Sequence, residues 1–380
     1  MSEFKASSFT NEDGSHGPDF VGLTTFTSPY YFVPPSGTTA ERPSGSDCVP
    51  GLLRFNTDIG RLEVWRGDHW ATIQGESPNL DGGARGVFAG GNDDTSPGRY
   101  NAIDYITIAT LGNAVNFGSL QSATTGIAGC SSQTRGVFMG GQTGPIVSTI
   151  TYITLSSTGN ASTFGNLTTA TQFTSALSNS TRGLICGGDT PGGGVNTLEY
   201  VTIASTGNSV DFGDLQTVRR YYAMSFASST RGISGGESPG FTNLIDFVTI
   251  STTGNASDFG DLTDNKGGAG CSNSTRGLFG GGYNPGLSNS ITFITIASTG
   301  NSQDFGDLTQ SRRGLGACAS STRGLFGGGM NPSPTNTDFN IIDYVTILST
   351  GNAIDFGDLV TGNSGRQRNK TACSNAHGGL

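Results

Sequence analysis

Histidine is scarce in this chain: three among 380 residues, at His16, His69 and His377, with no spacing motif between them. No G-x-S-x-G and no H-E-x-x-H occurs. The motif-borne nucleophile and zinc-hydrolase chemistries are therefore not signalled. No C-x-x-C pair occurs among the six cysteines, which argues against a zinc ribbon or finger. Charged residues make up only 13% of the chain, the net charge is -9, and the arginines are scattered along it. No basic stripe forms, so no nucleic-acid partner is expected. No apolar run is long enough to span a bilayer, so no membrane insertion is expected. No basic-then-apolar start precedes the polar stretch 1–10, which reads as synthesis in a cytoplasm. No segment of the repeat described below carries an apolar period of 3.6, which leaves no helix to expect. The hydrophobic fraction, 33%, is low. A core must then come from many small layers. No catalytic, cofactor or metal residues are assigned.

Glycine is what the chain has, 61 residues or one in six, without the triplet period of collagen. It punctuates an internal repeat. The stretch T-R-G-L-F-G-G-G at 322–329 recurs with substitutions, and its arginine falls at Arg85, Arg135, Arg182, Arg231, Arg276 and Arg323, spaced by 50, 47, 49, 45 and 47 residues. A T-G-N corner and an F-G pair recur with it, the latter at Phe117, Phe164, Phe212, Phe259, Phe305 and Phe356. A repeat of this length decides the fold before any local reading does. Each copy holds four short candidate strands, before the arginine, after it, at the aromatic and β-branched run (Tyr152-Ile153-Thr154-Leu155 and its equivalents) and around F-G.

Four strands per unit point to the blade of a β-propeller, with a long-runged solenoid as the competitor. The ends favour the propeller. The first copy lacks its first strand, since residues 78–83 read as an acidic loop. The last copy is followed by an orphan one, Thr371 to Gly378, which matches the stretch leading to Arg323. A half-unit missing at one end and present at the other suits a ring and removes sheet edges. The expectation is a six-bladed propeller over residues 77–380, blade one completed by 371–378. A seven-bladed version would recruit residues 52–73.

The unit resembles a kelch-type propeller blade. Gly140-Gly141, Gly187-Gly188 and Gly281-Gly282 match the glycine pair of that pattern, and Tyr152, Tyr200 and Phe293 its aromatic. Phenylalanine, as at Phe212 and Phe305, stands where kelch blades usually have tryptophan. Kelch-like folds include enzymes and binding modules, so this resemblance fixes no activity. The copper oxidases among them need histidine ligands this chain does not supply.

Residues present in every copy serve the repeat, whereas a catalytic centre would break its symmetry. Arg85, Arg135, Arg182, Arg231, Arg276 and Arg323 are thus expected to pair within or between blades, with the carboxylates after F-G, Asp214, Asp261, Asp307 and Asp358, as acceptors. Ser119 and Asn166 fill that place in the early copies, where carbonyls must serve. The recurring Asp-x-Gly-Asp corners offer oxygen ligands, but their spacing is not that of a calcium loop. Cys130, Cys271, Cys318 and Cys373 share one place in their units, filled elsewhere by Leu177 and Phe226. A place that accepts all three is a packing position. Loops after the glycine pair differ most between copies, including 142–148, 189–196, 237–243 and 330–340, and are where a partner would bind.

Residues 1–50 are broken by proline and carry Tyr30-Tyr31-Phe32, which reads as an extended arm docked on a partner. Residues 51–76 read as a three-stranded meander holding Phe55 and both tryptophans, Trp65 and Trp70. The run from Gly51 to Asp58, followed by Gly60 to Trp65 and Gly67 to Trp70, resembles a short module common in tail-fibre and other virion structural proteins of bacteriophages. The resemblance implies a virion-surface protein made in the host cytoplasm. It attaches to other virion proteins through its N-terminal region, including Tyr30, Tyr31, Phe32, Phe55, Trp65 and Trp70. It acts as a homo-oligomer and carries a propeller outward, as tail fibre, spike, collar or capsid decoration. A host-surface glycan or protein is the outward contact. The alternatives are a glycan-binding or glycan-cleaving propeller, the latter needing a symmetry-breaking carboxylate pair, and a cellular kelch-like scaffold.

Overall fold

The computed structural model describes residues 34–45, 48–59, 61–72, 84–93, 98–221, 223–236, 242–264, 267–283, 286–332, 337–360 and 368–380. Tyr30, Tyr31, Phe32, His16 and the loop 237–241 lie outside them. Among the described residues the structure is all-β, with no α-helix and a single 3-10 turn at Thr39–Glu41. The chain divides into two compact units, Met1–Ser77 and Pro78–Leu380.

In the first unit, Leu53–Asn56, Arg61–Trp65 and Trp70–Thr72 form the expected antiparallel meander. A fourth strand joins it. Ser36–Gly37 pairs in parallel with Phe55 and Asn56, so part of the arm belongs to the sheet. One sheet face is polar. Glu63 is fully buried beneath Arg42, which chelates it, and Arg54 donates to the Thr38 carbonyl at 2.9 Å. The Arg42 hydrogen bond holds the Glu63 carboxyl below the usual carboxylate range.

Among its described residues the second unit contains six four-stranded antiparallel sheets. Four are consecutive in sequence and built alike, for example Ala128–Ser131, Arg135–Met139, Thr149–Thr154 and Ser162–Asn166. A fifth, from Gly316 to Asp358, is interrupted only by a two-residue pairing of Met330–Asn331 with Thr337–Asp338. The remaining sheet takes its first strand from the other end of the chain. Thr371–Ser374 pairs with Arg85–Ala89, Thr371 opposite Ala89 and Ser374 opposite Gly86. The first strand of each sheet lies against that of the next, and Thr371–Ser374 lies against both Gly316–Ala319 and Ala128–Ser131. This is a β-propeller-like architecture.

The core is a set of separate layers between adjacent sheets, as the low hydrophobic content requires. In each layer the third-strand aromatic meets the F-G phenylalanine edge to face, as Tyr152 does Phe164 at 6.0 Å and Tyr344 does Phe356 at 6.0 Å. The glycine after each arginine is there because a neighbour's side chain fills its place. A Cβ on Gly86 would stand 2.6 Å from Cys318 Sγ, on Gly183 2.6 Å from Cys130 Sγ, and on Gly232 2.6 Å from a Leu177 methyl. Each intruding side chain comes from the first strand of the preceding sheet. For Gly86, in the first sheet, that is the sheet of Gly316–Asp358.

Candidate functional site

Three features repeat at the junctions between sheets. Each arginine starts the second strand of its sheet and lies over the aromatic of its own third strand, between 4.3 Å for Arg276 over Phe293 and 5.0 Å for Arg85 over Tyr105. Its Nη1 then reaches the next sheet. Arg135 donates to the carbonyls of Ile203 and Ala204 at 3.1 and 2.8 Å, Arg182 to Ile250 and Ser251, and Arg231 to Ile296 and Ala297. Arg85 and Arg276 donate to Leu155 and Ile347. Arg323, in the last sheet, donates to Ile108 and Ala109 of the first at 2.9 and 3.0 Å.

The expected arginine–aspartate pairing is corrected by this. The acceptors are carbonyl oxygens in all six copies, and Asp214, Asp261, Asp307 and Asp358 serve through their backbones. Their N–H groups donate to the T-G-N asparagines Asn255, Asn301, Asn352 and Asn113 at 3.0 to 3.1 Å. Ser119 and Asn166 donate in the same way to Asn160 and Asn208. A backbone contact is indifferent to the side chain, which is why serine and asparagine can stand in the early copies. The F-G glycine lets the corner approach: a Cβ on Gly357 would lie 2.5 Å from the Gly112 carbonyl oxygen.

Replacing Arg276 by alanine removes a stacked cation and leaves the Ile347 carbonyl without that donor. Urea unfolding should show a loss of about 1–3 kcal/mol. Lysine at the same position should restore only part of it, lacking the planar fork. An alanine variant as stable as the parent would refute the junction role.

Three buried ion pairs were not anticipated. Arg219 meets Asp246 at 2.8 Å, Arg312 meets Asp343 at 2.9 Å, and Lys370 meets Asp104 at 3.1 Å. Each cation comes from the segment leading into a first strand, and each aspartate from the third strand of the same sheet. The signal was available in the third-strand triplet, where Ile-Asp-Tyr or Ile-Asp-Phe stands against Thr151, Glu199 and Thr292 in the other copies. Burial pushes the Asp104 and Asp246 carboxyls up, opposed by their cations, and pushes the Lys370 ammonium down.

Between the six first strands runs a cavity of about 100 Å³, lined mainly by glycine and alanine, with the hydroxyl-bearing Thr174, Ser175, Ser225 and Thr371 and with Phe173 and Lys370 among its larger side chains. A narrower continuation, about 50 Å³, ends at His377. Cys130, Cys271, Cys318 and Cys373 line this continuation, but each Sγ packs outward against the next sheet. Burial raises the thiols, those of Cys271 and Cys373 to about 12, so they stay protonated. Among the described residues no three His, Cys, Asp or Glu side chains are placed to hold a metal ion.

The copies differ most beside the wide end of the cavity. Just before their first strands, Gly126, Gly267, Gly314 and Asn369 adopt left-handed backbone angles, and so do Phe173 (φ 46°) and Tyr221 (φ 45°). These two rings pack at 5.1 Å, Arg220 stacks on Tyr221 at 5.1 Å, and Arg220 pairs with Asp189 at 2.7 Å. Asp189 belongs to a hairpin longer than its equivalents, Arg182–Thr190 with Gly193–Thr202, built from the variable loop 189–196. Strained aromatics where three of the six copies have glycine cost of order 1–3 kcal/mol each. They give this rim an aromatic, hydrogen-bonding surface that the repeat itself does not require.

Of the expected attachment residues, Phe55 is half-buried in the first unit's sheet, and Trp65 and Trp70 pack together at 5.7 Å, with Trp70 Nε1 donating to the Pro43 carbonyl. His69 is exposed beside Asp68, 2.7 Å away. No protein-family model matches the chain, and no curated protein matches it.

Proposed function

We propose that this chain is a non-enzymatic structural protein of a virus particle. Its N-terminal region docks on other virion proteins, and residues 78–380 form a closed six-bladed propeller presented at the particle surface. One observation carries the reading. The residues common to all copies are engaged in sheet-to-sheet contacts, and the same contacts recur between the last sheet and the first. The arginine, the cysteine, leucine or phenylalanine, and the asparagine of each unit serve the ring. The resemblance of residues 51–70 to a phage attachment module supplies the context, and a homo-oligomer is the assembly it implies.

Labelling particles with an antibody to residues 78–380 should decorate their surface without prior disruption. The purified chain should run as an oligomer by light scattering. A chain absent from particles, or a monomer at micromolar concentration, overturns the reading.

The rim at Phe173, Tyr221, Arg220 and Asp189 favours a second reading, contact with a host-surface saccharide through an aromatic face and hydrogen-bonding neighbours. Phe173→Ala should then lower cell adhesion at least about tenfold, the range of one aromatic contact, while the melting curve of the variant stays cooperative. Unchanged adhesion would leave the rim a structural variation.

A further inference from the structure

After Thr371–Ser374 the chain leaves the strand. It turns across the narrow end of the cavity. Asn375 Oδ1 accepts the Arg85 N–H at 2.8 Å. Gly378 donates to the Ser272 carbonyl at 2.9 Å. Both Gly378 and Gly379 are buried, and a Cβ on either would overlap a carbonyl oxygen, that of Asn273 or of Ser178. The turn therefore sits against the ends of several first strands at once.

His377 holds it in place. Nε2 lies 3.0 Å from the Ser131 carbonyl, and Gly379 N–H donates to Nδ1 at 3.1 Å. A carbonyl oxygen only accepts and an amide N–H only donates. The ring must then be neutral with its proton on Nε2. A second proton on Nδ1 would set two donors face to face. The strands packed around the turn, Ala128–Ser131, Ser175–Ser178, Met224–Ala227, Ala269–Ser272 and Gly316–Ala319, carry no acid or base beyond Cys130, Cys271 and Cys318. The turn's own strand adds Cys373. All four thiols are raised by burial and uncharged. Arg85, Arg135 and Arg182 direct their guanidinium groups to the carbonyls of the neighbouring sheets. In the segment leading into the closing strand, Lys370 is bound to Asp104 of the third strand and Arg368 is paired with Asp338.

We propose that Asn375–Leu380 is a proton-released plug: protonation of His377 expels the turn from the narrow end of the cavity and opens that end, while Thr371–Ser374 stays in its sheet. This rests on the closed-ring reading. The sign follows from the geometry. Burial depresses the His377 pKa below its ordinary value of 6.5. The stabilisation is fully present above that value and is lost as pH falls from it towards the depressed one.

Hydrogen–deuterium exchange of the intact protein between pH 7.5 and 5 tests this, corrected for the chemical exchange rate. Opening of 375–380 should rise by up to about tenfold per pH unit below about 6.5. Residues 269–272 should not respond. His377→Gln, which keeps a donor and an acceptor but does not titrate, should flatten the response. Equal protection of 375–380 at both ends of the range, or the same rise in His377→Gln, overturns the proposal. Should that variant not fold, imidazole NMR on the parent decides: a His377 midpoint at or above 6.5 overturns it, and one below supports it. Failure of the ring itself reads differently, as loss of protection at 371–374 already at pH 7.5.

Discussion

Removal of residues 369–380 is expected to destabilise residues 78–380 severely. Five interactions leave together. Arg85–Ala89 loses its four-residue pairing with Thr371–Ser374. Arg85 N–H loses the Asn375 cap, whose role Ser132, Asn179, Ser228, Asn273 and Ser320 fill locally in the other copies. Gly136 loses the Cys373 side chain that packs on it. The Ala319 carbonyl loses the Ser374 hydroxyl, 2.5 Å away. Asp104 loses Lys370 and remains buried. The last alone costs about 3–5 kcal/mol, and a domain's total stability is about 5–15 kcal/mol. The melting midpoint should fall by about 10 °C or more, with aggregation through the uncovered Arg85–Ala89 edge. A permuted chain with residues 369–380 joined ahead of Ala84 should melt like the parent. A truncated chain melting within about 3 °C of the parent would show that the first sheet does not depend on the distant strand.

Lys370→Met should cost about 3–5 kcal/mol at pH 7 in urea unfolding, because it leaves the Asp104 carboxylate buried without a counter-charge. Asp104→Leu combined with Lys370→Met should recover most of the loss, since an apolar pair of similar volume removes the desolvation cost on both sides. The pH dependence has a definite sign. Without Lys370, burial raises the Asp104 pKa further above its unfolded value. A raised folded pKa contributes stability at low pH that is lost as pH rises through it. The deficit of Lys370→Met should therefore shrink between pH 7 and 4.5, and the double variant should not show this trend. A single variant that loses under 1 kcal/mol, or whose deficit grows on acidification, would mean the pair is solvated.

Strand identity was legible because each copy repeats the same alternation. The third strand was expected at Tyr152 to Leu155 and spans Thr149–Thr154, and the terminal strand was expected from Thr371 to Gly378 and begins there but ends at Ser374. The packing role of Cys130, Cys271, Cys318 and Cys373 was legible from the leucine and phenylalanine that replace them, and all four are buried. The arginine acceptors were not legible. Spacing along the chain set Arg231 and Asp261 in one unit, but the guanidinium crosses to the next sheet, and carbonyls leave no trace in residue identity. The pairing of Ser36–Gly37 with Leu53–Asn56 escaped for a similar reason: two residues of backbone bonding carry no side-chain pattern. The ion pairs were half visible, since the aspartates stand out in their triplets while their cations sit in unaligned loops.

The amino-acid order alone determined the all-β character, the period and the positions that every copy shares. These are local properties, set by strand alternation and by glycine where two backbones meet, and six copies average out the noise in any one. Only the tertiary structure decided which oxygen each arginine reaches, which cation sits beneath each buried aspartate, and that His377 is held between Ser131 and Gly379. Those choices depend on groups brought together from distant parts of the chain, where a carbonyl and a carboxylate compete as acceptors by distance and desolvation.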